Sequence, residues 1–92
     1  MTISEAIAKE NDGTIDVQKY AAINIGFKNF AGEDDETQLN VSHNLYTAEG
    51  TEELEELFES LCEEFWTSHD KVTYVRVVAS ADSEAELIAM GY

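Results

Sequence analysis

Leu54, Leu57, Phe58, Leu61, Cys62, Phe65 and Trp66 recur at i, i+3, i+4, i+7, i+8, i+11 and i+12, a spacing that only a helix gathers onto one face. The pattern predicts a long amphipathic helix that opens at Gly50-Thr51 and carries its apolar stripe through Trp66. Thr51 suits the N-cap, and Glu52 and Glu53 suit the positive end of the helix dipole. Such a face has to be covered by a second layer, and the rest of the chain must supply it. At 92 residues there is length for one domain with a single modest core.

Two period-two segments precede the helix. From Val17 to Phe27 the odd positions read Val17, Lys19, Ala21, Ile23, Ile25 and Phe27, and the even positions Asn24 and Lys28 are polar. Gln38 to Tyr46 repeats the pattern, with Leu39, Val41, His43 and Leu45 on one face. Between them Asn29-Phe30-Ala31-Gly32-Glu33-Asp34-Asp35-Glu36 reads as the tip of a long hairpin. A third strand follows the helix at Lys71 to Ala79, with Thr73, Val75, Val77 and Ala79 as its inward set. Thr2-Ile3-Ser4-Glu5 and Ser83-Glu84-Ala85-Glu86 are capping boxes that open short terminal helices, with Gly13 and Gly91 placed to end them.

The order α-β-β-α-β-α implies an α+β fold. A right-handed crossover from the second strand to the third gives a three-stranded antiparallel sheet in order 2-1-3, with the long helix on one face. The other face is expected to be wet or partner-facing, carrying Tyr20, Asn24, Lys28, Gln38, Asn40, Ser42, Asn44, Tyr46, Tyr74 and Arg76.

Charge then narrows the functions. Five basic residues against twenty acidic ones give a net charge of −15, which opposes direct binding to DNA, RNA or an anionic membrane and favours a basic partner. A hydrophobic content of 43% is too high for a disordered acidic tail. No lysine or arginine lies between Lys28 and Lys71, and thirteen of the twenty acids fall in that interval, Glu49, Glu55 and Asp70 among them. Halophilic acidity would be spread over every element, whereas this acidity is concentrated. Glu52, Glu56, Glu59 and Glu63 are spaced to stack in one stripe opposite the apolar face. At about 1.5 Å per residue the stripe would run roughly 16 Å, with carboxylates about 5 to 6 Å apart. That is broadly the scale of phosphate spacing on a nucleic-acid strand, so such a row can occupy a lysine and arginine groove built for phosphates. The ordinary role of a glutamate run is a solvated helix face, but such faces usually interleave lysines, and none is present.

Catalytic chemistry is not visible. Cys62 lies on the apolar stripe, and His69, seven residues on, would be about 10 Å up the axis, too far for a nucleophile and base. Phe58, Phe65, Trp66 and Tyr74 read as core rather than as a ligand site. One cysteine with His43 and His69 makes no zinc set, and neither Asn11-Asp12-Gly13 nor Glu33-Asp34-Asp35-Glu36 has the order of a calcium loop. Asn40-Val41-Ser42 matches a glycosylation sequon but falls in a strand. No cofactor is implied. A start without a basic segment or long apolar run, and a single cysteine, are those expected of a cytosolic protein.

In size, pI, compact α/β layout and acidic stripes the chain resembles the small acidic proteins of phages and mobile elements that imitate DNA to block host defence nucleases, notably anti-CRISPR proteins. The resemblance implies a stoichiometric inhibitor seated in the basic duplex-binding groove of a CRISPR effector. Glu52, Glu56, Glu59 and Glu63 would then stand in for one backbone, and Glu33, Asp34, Asp35 and Glu36 for neighbouring phosphates, with Asp70 beside them. The competing expectation is an interaction module that meets another chain through its uncovered sheet face, around Tyr46, Tyr74 and Arg76. The sequence leaves the oligomeric state open, a homodimer included.

Overall fold

The computed structural model describes residues 1–11, 19–42 and 51–92. The elements are α1 (Ile3–Asn11), β1 (Tyr20–Lys28), β2 (Asp34–Ser42), α2 (Thr51–Leu61), a 3-10 turn (His69–Lys71), β3 (Val72–Ala81) and α3 (Glu84–Ala89). The expectations for Gly13, Val17, His43, Asn44, Leu45, Tyr46, Glu49 and Gly50 fall outside the described residues. The fold is α+β, with a three-stranded antiparallel sheet in the order β2-β1-β3.

β1 is central because its odd residues are the most apolar in the sheet. Ala21, Ile23, Ile25 and Phe27 all turn to one face and are essentially inaccessible. Across from them on β2 lie Val41, Leu39, Thr37 and Asp35, so apolar character fades toward the hairpin turn. Two helices share this face. Ile3, Ala6 and Ile7 of α1 join Leu54 and Phe58 of α2, together with Cys62, in one buried cluster. Because α1 takes part of the sheet, the buried row of α2 is narrower than the sequence pattern. Leu54, Phe58 and Cys62 are buried, Leu61 is half-buried, and Leu57 is exposed.

β3 does not keep the alternation expected of it. Irregularities in its register with β1 fall between Ala22 and Ile23 and between Gly26 and Phe27, each adding a residue on β3. A bulge of this kind changes which side chains point inward. Val72 therefore takes the inward place expected of Thr73, while Val75 and Val77 keep theirs. Past the irregularity between Ala22 and Ile23, Ala79 and Ala81 lie on the opposite face with Tyr20 and Ala22. There α3 lays Leu87 on Ala22 and Ala81, so this end of the second face is covered rather than wet.

Two of the expected caps are found, while Thr51, expected as an N-cap, is itself the first residue of α2. The Glu5 amide donates to the Thr2 hydroxyl at 3.3 Å, and the Glu86 amide donates to the Ser83 hydroxyl at 3.3 Å. A further cap comes from a different helix: the Ser4 amide at the start of α1 donates to Glu55 of α2 at 3.0 Å. Partial burial would by itself push the Glu55 carboxyl up. The Ser4 amide and hydroxyl, the Thr2 hydroxyl and the His69 charge outweigh that and hold it below the usual glutamate range. A depressed carboxyl stabilises the fold above its unfolded pKa, and that stabilisation is lost as pH falls through the folded pKa. Replacing Glu55 with alanine is expected to cost about 1 kcal/mol at neutral pH, as other helix caps do, in urea denaturation. The difference from the parent should shrink as the pH is lowered below the glutamate range; a pH-independent difference would mean that Glu55 acts through packing alone.

Candidate functional site

Three of the four stripe residues occupy α2. Glu52, Glu56 and Glu59 are exposed on a helix of eleven residues that contains no lysine or arginine. The α-helix ends at Leu61, so the row on it spans roughly 10 Å at about 1.5 Å per residue rather than 16 Å. Glu63 and Glu64 are exposed in the irregular turn of residues 62–66 that follows.

That turn has a definite construction. The Trp66 amide donates to the Glu63 carbonyl at 3.3 Å and the Thr67 amide to the Cys62 carbonyl at 2.9 Å, the paired bonds of a Schellman closure with Trp66 at φ 54°. The end of α3 repeats the arrangement: the Gly91 amide donates to the Ile88 carbonyl and the Tyr92 amide to the Leu87 carbonyl, both at 3.0 Å. There the left-handed position is held by glycine, at φ 100°. A residue with a Cβ pays roughly 1 to 2 kcal/mol for that conformation, so the tryptophan is not explained by its backbone.

The same turn is strapped to the β1–β2 hairpin. The Thr67 hydroxyl, buried, donates to the Lys28 carbonyl at 2.6 Å, and the Phe30 amide donates to the Trp66 carbonyl at 3.0 Å. Trp66 and Phe30 meet edge to face, with ring centroids 6.0 Å apart and an interplanar angle of 83°. Both stay open to solvent, at 54% and 52% exposure. Trp66 is thus not a core residue. The helix unwinds at Cys62, and the reversal at Trp66 turns its ring outward while Phe65 packs on Phe27 and Phe58. Tyr74 is not in that core either, because it lies on the opposite sheet face.

The acids of the hairpin do not form one cluster at a tip. The loop is only Asn29 to Glu33: the Asn29 amide donates to the Glu33 carbonyl at 3.0 Å, and Gly32 takes φ 81°, as a three-residue turn requires. Asp34, Asp35 and Glu36 are strand residues opposite Lys28, Phe27 and Gly26. Alternation sends Asp35 to one face and Asp34 and Glu36 to the other. Asp34 is paired with Lys28 at 2.9 Å. Glu36 accepts from the Asn24 amide group at 3.2 Å and from the Tyr74 hydroxyl. The bond to Glu36, with burial and the Glu36 charge, pushes the Tyr74 phenol up, while Arg76 on its ring opposes the shift. The Tyr74 ring covers Gly26, where a Cβ would overlap it, and the Arg76 guanidinium stacks 4.2 Å from the ring centroid. Glu33 is exposed in the turn beside Phe30, and Asp70 is exposed in the 3-10 turn. A bond from the Ser68 hydroxyl holds Asp70 below the usual aspartate range.

Burial, with the Glu59 and Asp70 charges, pushes the Cys62 thiol up, so its reactive thiolate is disfavoured at neutral pH. Among the described residues no group of three or more His, Cys, Asp and Glu could hold a metal ion, and no helix is long and apolar enough to cross a membrane. Comparison of the chain with protein-family models, with curated proteins and with solved structures finds no match.

The candidate site is the exposed face of α2 continued through Glu63, Glu64 and Trp66 to Phe30 and Glu33. The aromatic pair was hidden in the sequence, where Trp66 fits the apolar stripe. Its removal is a direct check. In Trp66→Gly the relief of the left-handed backbone, roughly 1 to 2 kcal/mol, is expected to offset the lost aromatic pairing, roughly 0.5 to 1.5 kcal/mol. Urea denaturation should place the variant within about 1 kcal/mol of the parent, whereas a loss above about 3 kcal/mol would return Trp66 to the core.

Proposed function

We propose that the protein is an acidic DNA-mimic inhibitor that occupies the basic nucleic-acid-binding groove of a host defence nuclease, a CRISPR effector foremost, and keeps target DNA out. In this reading it acts in the cytoplasm of the host cell and carries no catalytic group. The observation behind it is α2, whose exposed Glu52, Glu56 and Glu59 have no basic residue on the same helix, followed at once by exposed Glu63 and Glu64. Like charges at such spacings cost roughly 0.2 to 0.5 kcal/mol per pair, a cost that an external lysine and arginine surface reverses. Carboxylates entering such a groove release its counterions as phosphates do, and a net charge of −15 steers the approach over long range.

Glu33 and Asp70 extend the acidic surface on the neighbouring turns. Asp34 and Glu36 contribute less, because Lys28, Asn24 and Tyr74 already engage them. They also lie on the sheet face away from α2, and of the three strand acids Asp35 alone, opposite Phe27, is on the face that α2 covers. The interface is therefore centred on α2 rather than shared equally with the hairpin.

A second reading has its own observation. On the sheet face opposite α2, the side-chain oxygens of Asn24 and Asn40 are shielded from solvent and accept no hydrogen bond among the described residues. A partner that packs over Tyr74 and Arg76 beside them would make this face the interface of an adaptor. Such an interface would change little with salt, whereas an acid-groove complex should weaken steeply between roughly 50 and 200 mM salt.

The test is a triple variant, Glu56→Lys, Glu59→Lys and Glu63→Lys, assayed for inhibition of target-DNA binding by purified guide-loaded CRISPR effectors. These positions are exposed, so circular dichroism should stay that of the parent while inhibition is lost. Full inhibition by the folded variant would remove α2 from the mechanism.

A further inference from the structure

We propose that the Phe30–Trp66 pair is a receptor for an arginine side chain presented by the basic partner, the anchor about which the acidic surface docks. The proposal rests on the acid-groove reading and adds to it the chemistry of its central contact.

Four observations converge on the pair. Phe30 and Trp66 are large aromatic residues left half open to solvent, although the phenylalanine core of Phe27, Phe58 and Phe65 lies one residue away in the chain from Trp66. Their placement is rigid, since the Phe30 amide is bonded to the Trp66 carbonyl and the Thr67 hydroxyl to the Lys28 carbonyl. Trp66 holds a left-handed backbone in a helix closure that the chain elsewhere builds with Gly91, and such outliers are enriched at binding and active sites. The Phe30 ring already has a cation at the edge of cation–π range, the Lys71 ammonium 5.9 Å from its centroid, while no such contact is seen on Trp66 among the described residues.

The character of the occupant follows from the surroundings. Glu33, Glu63 and Glu64 are exposed next to the two aromatics along the chain, so an apolar or acidic group is disfavoured and a cation is drawn in. Arginine suits the site better than lysine because its planar guanidinium stacks on a ring and is weakly hydrated, and indole is the strongest of the aromatic acceptors. The fold itself shows the geometry, with the Arg76 guanidinium stacked 4.2 Å from the Tyr74 centroid. A tryptophan beside an arginine is also the kind of contact that dominates interfaces, ringed by charges that set orientation and rate.

Because Trp66 is the chain's single tryptophan, its fluorescence reports the site alone when the probe has none. The experiment titrates the whole protein with fluorescein-labelled hexaarginine and hexalysine, following anisotropy, and with the unlabelled peptides, following Trp66 emission. Hexaarginine is expected to bind roughly two- to fivefold more tightly than hexalysine and to quench Trp66 at saturation. That preference should vanish in Phe30→Ala and in Trp66→Gly. The proposal is overturned by equal affinities in the parent, by an arginine preference that survives both substitutions, or by Trp66 emission unchanged at saturation. The acid-groove reading has a separate readout in the same titrations. Binding of both peptides should fall steeply with salt and be lost in the triple lysine variant, and salt-insensitive binding would sink that reading whichever peptide binds better.

Discussion

The hydrogen bond from the buried Thr67 hydroxyl to the Lys28 carbonyl is small, yet it fixes how the β1–β2 turn sits against the turn that follows α2. It ties the end of the α2 turn to the end of β1, and the bond from the Phe30 amide to the Trp66 carbonyl doubles the strap. Beneath it Phe27 of β1 packs on Phe58 and Phe65, with centroids 5.8 and 5.7 Å away, so the polar strap closes over an aromatic floor. A buried hydroxyl without its acceptor would cost more than the bond itself contributes, which gives this register a sharp optimum. The consequence is that Phe30 of the hairpin turn is carried to Trp66 in the turn that follows α2.

Charge and core divide the molecule. Apolar residues of β1 are spent on both sides of the sheet, Ile23, Ile25 and Phe27 against α1 and α2, and Ala22 against Leu87 of α3. With both faces partly covered, twenty acids in 92 residues have to crowd onto what surface remains. Some are put to structural use, as Glu55 caps α1 and Glu36 holds Tyr74 over Gly26. The exposed Glu52, Glu56 and Glu59 of α2 have no lysine or arginine on their own helix, and the self-repulsion they contribute is a feature that an external basic surface would relieve.

Much of this was legible in the sequence, for reasons that are local. The alternation of Ala21, Ile23, Ile25 and Phe27 marked the central strand, and the capping residues Thr2 and Ser83 marked two helix starts. Sheet order followed from crossover handedness. What escaped depended on features that periodicity does not carry. The bulges of β3 exchange Thr73 for Val72 and move Ala79 across the sheet without leaving a mark in a β-branched run. The Schellman closure at Trp66 could not be read because the residue in the left-handed position is not glycine, so the apolar period ran on past the true helix end. Pairing of Asp34 to Glu36 with Lys28 to Gly26 was masked by the turn-forming character of the acids themselves. For the site, the exposure of Glu52, Glu56 and Glu59 was expected and is found, while the aromatic pair beside them emerges only from the fold.

The most direct test of the account is affinity capture from a bacterial lysate at low salt with the tagged protein, followed by elution with competitor duplex DNA and identification by mass spectrometry. Occupation of a phosphate-binding groove predicts that a nucleic-acid enzyme leaves the protein when DNA is added, a defence nuclease among those released. A partner that stays bound through both DNA and high salt would contradict the account, and would make the sheet face of Asn24, Tyr74 and Arg76 the interface instead.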